Sequence, residues 1–98
     1  MHDPVLQYVE QHARAKPWVE RVSLFGSRAR GDSHVRSDYD LAVWAPKAPD
    51  EEWAKWALEL RESVPTLCGL DLVRGVPGLA ADLVSAIGRD GKVIYERK

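Results

Sequence analysis

Apolar positions along this chain switch repeatedly between helical and extended spacing. Val5, Tyr8, Val9 and His12 recur at i, i+3, i+4 and i+7, which is one face of a helix. Asp3-Pro4 supplies its start, with Asp3 as N-cap and Pro4 at the first helical position, and Pro17 ends it. From Arg21 to Phe25 the rhythm becomes every second residue. Val22 and Leu24 face one way and Ser23 and Phe25 the other, as in a strand. Gly26 to Gly31 reads as a turn into a short helical piece, Gly31 to Ser37 as a polar loop, and Asp38 to Trp44 as a second strand. After the proline-flanked turn from Ala45 to Pro49, Asp50 is placed to cap a helix from Glu51 to about Ser63. Its acidic first turn suits the helix dipole. Trp53, Trp56, Ala57, Leu60 and Val64 form its apolar side, and Pro65 stops it. Leu70 to Arg74 predicts a third strand. Gly78 to Ile87 predicts a helix with Leu79, Leu83, Ala86 and Ile87 on one face, closed by Gly88. Asp90-Gly91 turns the chain into a short edge strand, Lys92 to Tyr95. Strands alternating with helices predict an α/β layer protein. The pattern alone does not choose between a parallel and a mixed sheet.

The chain's 98 residues suit a single domain spanning 1–98. Apolar residues at 45% and charged residues at 30% describe a globular protein with one core. The formal net charge of −1 offers no general attraction to nucleic acid or an anionic membrane. Direct nucleic-acid binding is not expected. No stretch approaches the roughly 18 apolar residues of a membrane span. Cys68 is the only cysteine, which excludes an intrachain disulfide and a cysteine metal cluster. That usage and the lack of a secretion signal fit the cytoplasm.

The candidate chemistry lies on the second and third strands. Alternation puts Asp38 and Asp40 on one side, about 7 Å apart by strand rise. Tyr39, Leu41 and Val43 face the other way and read as core. Asp71 is flanked by Leu70 and Leu72, a poor setting for a solvated charge unless it points away from the core. Like charges gathered on one sheet face repel, and a cation relieves them. Oxygen-rich sites of this kind suit magnesium, and paired ions can clamp both oxygens of a phosphoryl transfer. An isolated Asp at a strand end is ordinarily a solvated turn former, so the acids need a companion signal. Gly26-Ser27 provides it. The pair follows an apolar strand and opens a helical turn, where glycine permits close backbone approach and exposed amides attract phosphate. Arg28 and Arg30 add positive charge just beyond, to meet phosphate or to form surface ion pairs.

Taken together, Phe25-Gly26-Ser27-Arg28-Ala29-Arg30-Gly31 followed by Ser37-Asp38-Tyr39-Asp40-Leu41 resembles the signature of the DNA polymerase beta-like nucleotidyltransferases. It is most similar to their minimal nucleotidyltransferase (MNT) branch. The resemblance implies a mixed sheet of about four strands with helices mainly on one face. It implies that Gly26 and Ser27 hold the triphosphate, with Arg28 and Arg30 in support. Asp38 and Asp40 would ligate Mg2+ or Mn2+, and Asp71 would take the third position, as metal ligand, base or both. It further implies ATP as substrate and a helical HEPN-type toxin as partner, with AMP transferred to a partner hydroxyl such as a tyrosine. The chain would then be an antitoxin. A non-catalytic module that neutralises its partner by covering it is the alternative. Small-molecule nucleotidylation is a third and weaker reading, because such relatives carry an extra helical domain. Acceptor, base preference and oligomeric state are not fixed by the sequence.

The remaining conspicuous residues read as structure. His12 completes a helix face, Trp53, Trp56 and Tyr39 read as core, His34 as an exposed loop residue, and Cys68 as a buried small side chain. Trp44 shares the face of Asp38 and Asp40 by parity, as do Phe25 and Val73. It marks either a binding surface or a patch covered by a loop or the first helix.

Overall fold

A computed structural model describes residues 3–31, 38–64, 66, 69–75 and 81–97, with the backbone alone at Ser27, Asp82, Leu83, Ala86 and Asp90. The elements run α1 (Pro4–Arg14), β1 (Arg21–Phe25), α2 (Ser27–Arg30), β2 (Tyr39–Trp44), α3 (Asp50–Ser63), β3 (Leu70–Gly75), α4 (Ala81–Asp90) and β4 (Lys92–Glu96). The strands form one sheet in the order β3-β2-β1-β4. β1 is antiparallel to both β2 and β4, whereas β2 and β3 are parallel. The sheet is therefore mixed, as the resemblance implied. The expectations for Ser37, His34, Pro65, Cys68, Gly78 and Leu79, for most of the Gly31 to Ser37 loop, and for the side chains of Ser27, Leu83 and Ala86 lie outside the described residues.

The core occupies one face of the sheet. Val22, Leu24, Tyr39, Leu41, Val43, Leu70 and Leu72 point into it, and Val5, Val9 and Ala13 of α1 and Trp56, Ala57 and Leu60 of α3 close it. Leu41, Val43 and Leu60 are fully buried, each worth about 1.5–3 kcal/mol relative to exposure. Helix α1 starts as its sequence prescribes: the Asp3 carboxylate accepts the Val5 and Leu6 amides at 2.8 and 3.3 Å. Trp53 and Trp56 of α3 meet Trp18 edge-on and lie tilted against each other. His12 is spent locally, with Nδ1 at 2.9 Å from the Tyr8 carbonyl and its ring on the Tyr8 ring.

Two helix ends differ from the sequence pattern. Pro49, not Asp50, is the N-cap of α3, and it makes no side-chain cap bond. Asp50 sits inside the first turn, and its carboxylate accepts from Arg74 Nη1 at 2.7 Å. Helix α4 runs through Gly88 to Asp90, and the turn comes at Gly91, whose amide donates to the Ile87 carbonyl at 2.7 Å. A glycine within a helix costs only about 1 kcal/mol relative to alanine, so Gly88 need not end α4.

Arg74 illustrates how the β2–α3 crossover is held. Its Nε donates to the Ala45 carbonyl at 3.2 Å, and its Nη2 donates to the Ala48 carbonyl. The Arg74 side chain is 20% exposed and that of Asp50 96%. A pair with one partner in water contributes little, whereas guanidinium bonds to sheltered carbonyls contribute more. Arg74→Met should therefore cost about 2 kcal/mol, and Asp50→Asn no more than about 0.5 kcal/mol. Urea unfolding midpoints check this, and equal losses would show that the ion pair, not the carbonyl bonds, holds the crossover.

Candidate functional site

The sheet register assembles the site. Phe25 pairs with Asp40 across β1 and β2, and Asp40 pairs with Asp71 across the parallel β2 and β3. Neighbouring strands lie about 4.8 Å apart, so Asp40 and Asp71 stand side by side on the face opposite the core. Asp71 is exposed while Leu70 and Leu72 are buried, as strand alternation demanded. Ala42, Val73 and Trp44 share that face farther along the strands.

The chain leaves β1 through Gly26, whose φ is +76°. A Cβ built there would lie 2.3 Å from Asp40 Oδ2. Glycine is thus required twice at this position, for the left-handed turn and because the Asp40 carboxylate rests against its backbone. The Gly26 carbonyl accepts the amides of Ala29 and Arg30, each at 3.1 Å, and so closes the first turn of α2. The turn and the carboxylates, distant in sequence, become neighbours in space.

Asp38 is held by a residue the sequence did not single out. The Gly69 amide donates to Asp38 Oδ1 at 3.1 Å, and the Tyr39 amide donates to the Gly69 carbonyl at 2.9 Å. A Cβ at Gly69 would sit 2.6 Å from Asp38 Oδ1, so only glycine lets the carboxylate lie there. Its signal in the sequence was a glycine opening the Asp71 strand, and it becomes readable only once β2 and β3 are known to pair.

Asp40 is half-buried, and its pKa is raised above the ordinary aspartate value. Burial is the largest cause, followed by the charges of Asp71 and then Asp38, with Arg30 pulling the other way. Gly26, Asp38, Asp40, Asp71 and Arg30 are thereby brought together. Among the described residues, no three acids converge as a ready-made ligand cage. Arg28 is placed elsewhere: its Cζ lies 3.9 Å from the centroid of the Tyr39 ring, on the core side of the sheet. Trp44 lies over Gly75, where a Cβ would be 2.3 Å from its ring. With Val84 and Ile87 of α4 it borders a cavity of about 90 Å3. The covering element is α4, neither a loop nor the first helix.

Strand, glycine turn and paired strand carboxylates on a mixed sheet define a nucleotidyltransferase fold. A family model described as polymerase beta, nucleotidyltransferase matches residues 7–98, and the chain belongs to that family. Comparison with curated proteins gives no match. Among solved structures, a toxin–antitoxin complex with AMP-PNP superposes with a TM-score of 0.74 at 23% identity, over 95% of this chain and 74% of the other. A MntA–HepT toxin–antitoxin complex gives 0.68 at 20%, over 95% and 71%. A complex of a tri-AMPylated HEPN toxin with its MNT antitoxin, from Shewanella oneidensis, gives 0.69 at 20%, over 95% and 71%. At these identities the likeness is one of fold. Among the described residues, no helix is long and apolar enough to cross a membrane.

Proposed function

We propose that this chain is an antitoxin that transfers AMP from ATP to a hydroxyl of a HEPN-type partner protein, most naturally a tyrosine. The observation that carries this reading is the contact of the Asp40 carboxylate with the Gly26 turn, with Asp71 in register beside it. It puts acids able to hold a cation next to a turn suited to phosphate. The solved complexes that share the fold, one with AMP-PNP and one with an AMPylated toxin, support the same chemistry.

The donor set fits a divalent metal. Asp40 is crowded by like charge and by burial, which is the condition a cation relieves. Asp38 and Asp40 would hold Mg2+ or Mn2+, with Asp71 the third donor; when bound, the ion neutralises charge on the phosphate oxygens. Gly26 and Ser27 cradle the triphosphate. Arg30, whose charge already reaches Asp40, offsets the remaining negative charge. A hydroxyl is a poor nucleophile near neutral pH, and exposed Asp71 is free of the core to accept its proton. The hydroxyl oxygen attacks the α-phosphorus, the bond to the bridging oxygen breaks, and pyrophosphate leaves.

Asp38 and Asp71 are exposed, so the acceptor side of the site is open. A second protein docking there would supply the hydroxyl and exclude water. Misplacement by about 1 Å can cost a hundredfold in rate, so the isolated chain should transfer little AMP to free small molecules. The test is a purified two-component reaction of this chain with a HEPN-type partner, ATP and magnesium, read by mass spectrometry. AMP-sized additions should appear on the partner and require ATP, metal and intact carboxylates. A tight complex that gains no mass, and in which Asp71→Asn neutralises the partner equally well, would favour the non-catalytic module.

A further inference from the structure

Tyr39 lies between Asp38 and Asp40, yet its side chain is on the opposite face, only 6% exposed. Its hydroxyl donates to Asp3 Oδ2 at 3.1 Å, the same carboxylate that caps α1. Its ring lies beneath the Arg28 guanidinium at 3.9 Å. Arg28 belongs to α2, the helical turn that Gly26 opens. One side chain thus joins the start of α1, the strand that carries Asp40, and the turn facing Asp40.

The chemistry of the contact favours a fixed geometry. A cation over an aromatic face is attracted by the ring's quadrupole, more strongly where water is excluded. A phenol donating to a carboxylate makes a charge-assisted bond and leaves its ring richer in electrons. Arg28 and Tyr39 also border a cavity of about 400 Å3, with Leu6, Leu24 and Ile94 among its other walls. The Arg28–Tyr39 contact thus forms one wall of that cavity, next to Gly31, just past the end of α2.

From this we infer that Tyr39 is a positioning residue: through Arg28 it sets the angle at which α2 leaves Gly26, and so aims the phosphate-binding turn at the carboxylates. The inference rests on the nucleotide reading of the site. It gives Arg28 a part in nucleotide binding that is indirect, by holding the turn, in place of a phosphate contact of its own.

The experiment uses the full chain with Mn·AMP-PNP as probe, in isothermal titration, for wild type, Tyr39→Phe, Tyr39→Leu, Arg28→Met and the double variant Arg28→Met/Tyr39→Leu. Hydrogen exchange at the Ala29 and Arg30 amides, both bonded to the Gly26 carbonyl, is followed without nucleotide. Tyr39→Leu and Arg28→Met should each weaken binding by about tenfold, the scale of a sheltered cation–π contact. Tyr39→Phe keeps the ring and should stay within about twofold of wild type. The double variant should bind no more weakly than either single one, since either substitution already breaks the contact between Arg28 and Tyr39. Exchange at Ala29 and Arg30 should quicken by a similar factor in both. Additive losses would overturn the inference, because Arg28 and Tyr39 would then act on nucleotide binding independently. So would unchanged affinity in folded Tyr39→Leu, which is the mark of a purely structural tyrosine. If Tyr39→Leu does not fold, Arg28→Met decides by the same two readouts. If wild type binds no Mn·AMP-PNP, the nucleotide reading fails, and the exchange rates still judge the coupling: unchanged rates overturn it too.

Discussion

Asp40→Asn is expected to abolish AMP transfer, by at least about a hundred- to a thousandfold, and to leave the folded chain as stable as wild type or more so. The two effects have one source. Asp40 is pressed against Gly26, shares its sheet face with Asp71, and has its pKa raised by burial, then by Asp71 and Asp38. In the metal-free protein a neutral amide removes that repulsion; in the loaded protein it removes a ligand. The sign of the pH dependence follows. A carboxyl whose pKa is higher in the folded than in the unfolded state binds more protons when folded across the interval between the two values, so stability falls as pH rises through it. The metal-free wild type should therefore lose stability from the ordinary aspartate value near 3.8 up through the raised one, and this component should vanish in Asp40→Asn. Urea unfolding of both proteins over a pH series measures it. Lower stability of Asp40→Asn near pH 7 would reveal a stabilising partner of the carboxylate, and retained transfer would sink its assignment as a metal ligand.

Gly26→Ala should be more damaging to activity than to stability. An alanine at φ +76° pays a backbone strain of about 1–2 kcal/mol. Its Cβ would also meet Asp40 Oδ2 at 2.3 Å, and the carboxylate can escape only by rotating away. Stability should fall by about 1–2 kcal/mol, whereas transfer should fall by about a hundredfold, the scale of a reacting group misplaced by an ångström. Gly31→Ala is the control. Its φ is +84°, so it shares the strain, but among the described residues a Cβ there meets nothing within 4 Å. It should lose similar stability and keep most of its activity. Equal losses of activity in the two variants would mean that strain, not the approach to Asp40, is what matters at Gly26.

The sequence determined the elements and the sides on which their residues fall. Period-two alternation sent Leu41 and Val43 to the core and Asp40 away from it, and the apolar neighbours of Asp71 forced its carboxylate outward, because burial of Leu70 and Leu72 outweighs any local preference of the acid. Asp3-Pro4 was enough to start α1, since capping is a contact between near neighbours. The glycine–serine turn and the Asp-x-Asp pair were legible for the same reason: each is a short-range pattern. Tertiary structure decided what those patterns meet. Whether Asp71 stands beside Asp40 depends on a parallel pairing across a long connection, which no local pattern specifies. The roles of Gly69, against Asp38, and Gly75, beneath Trp44, exist only once that pairing is made. Arg28 and Arg30 are two residues apart and alike in sequence, yet one faces the Tyr39 ring and the other acts on Asp40. Residues two apart on a helical turn point in different directions, so Arg28 and Arg30 meet different neighbours.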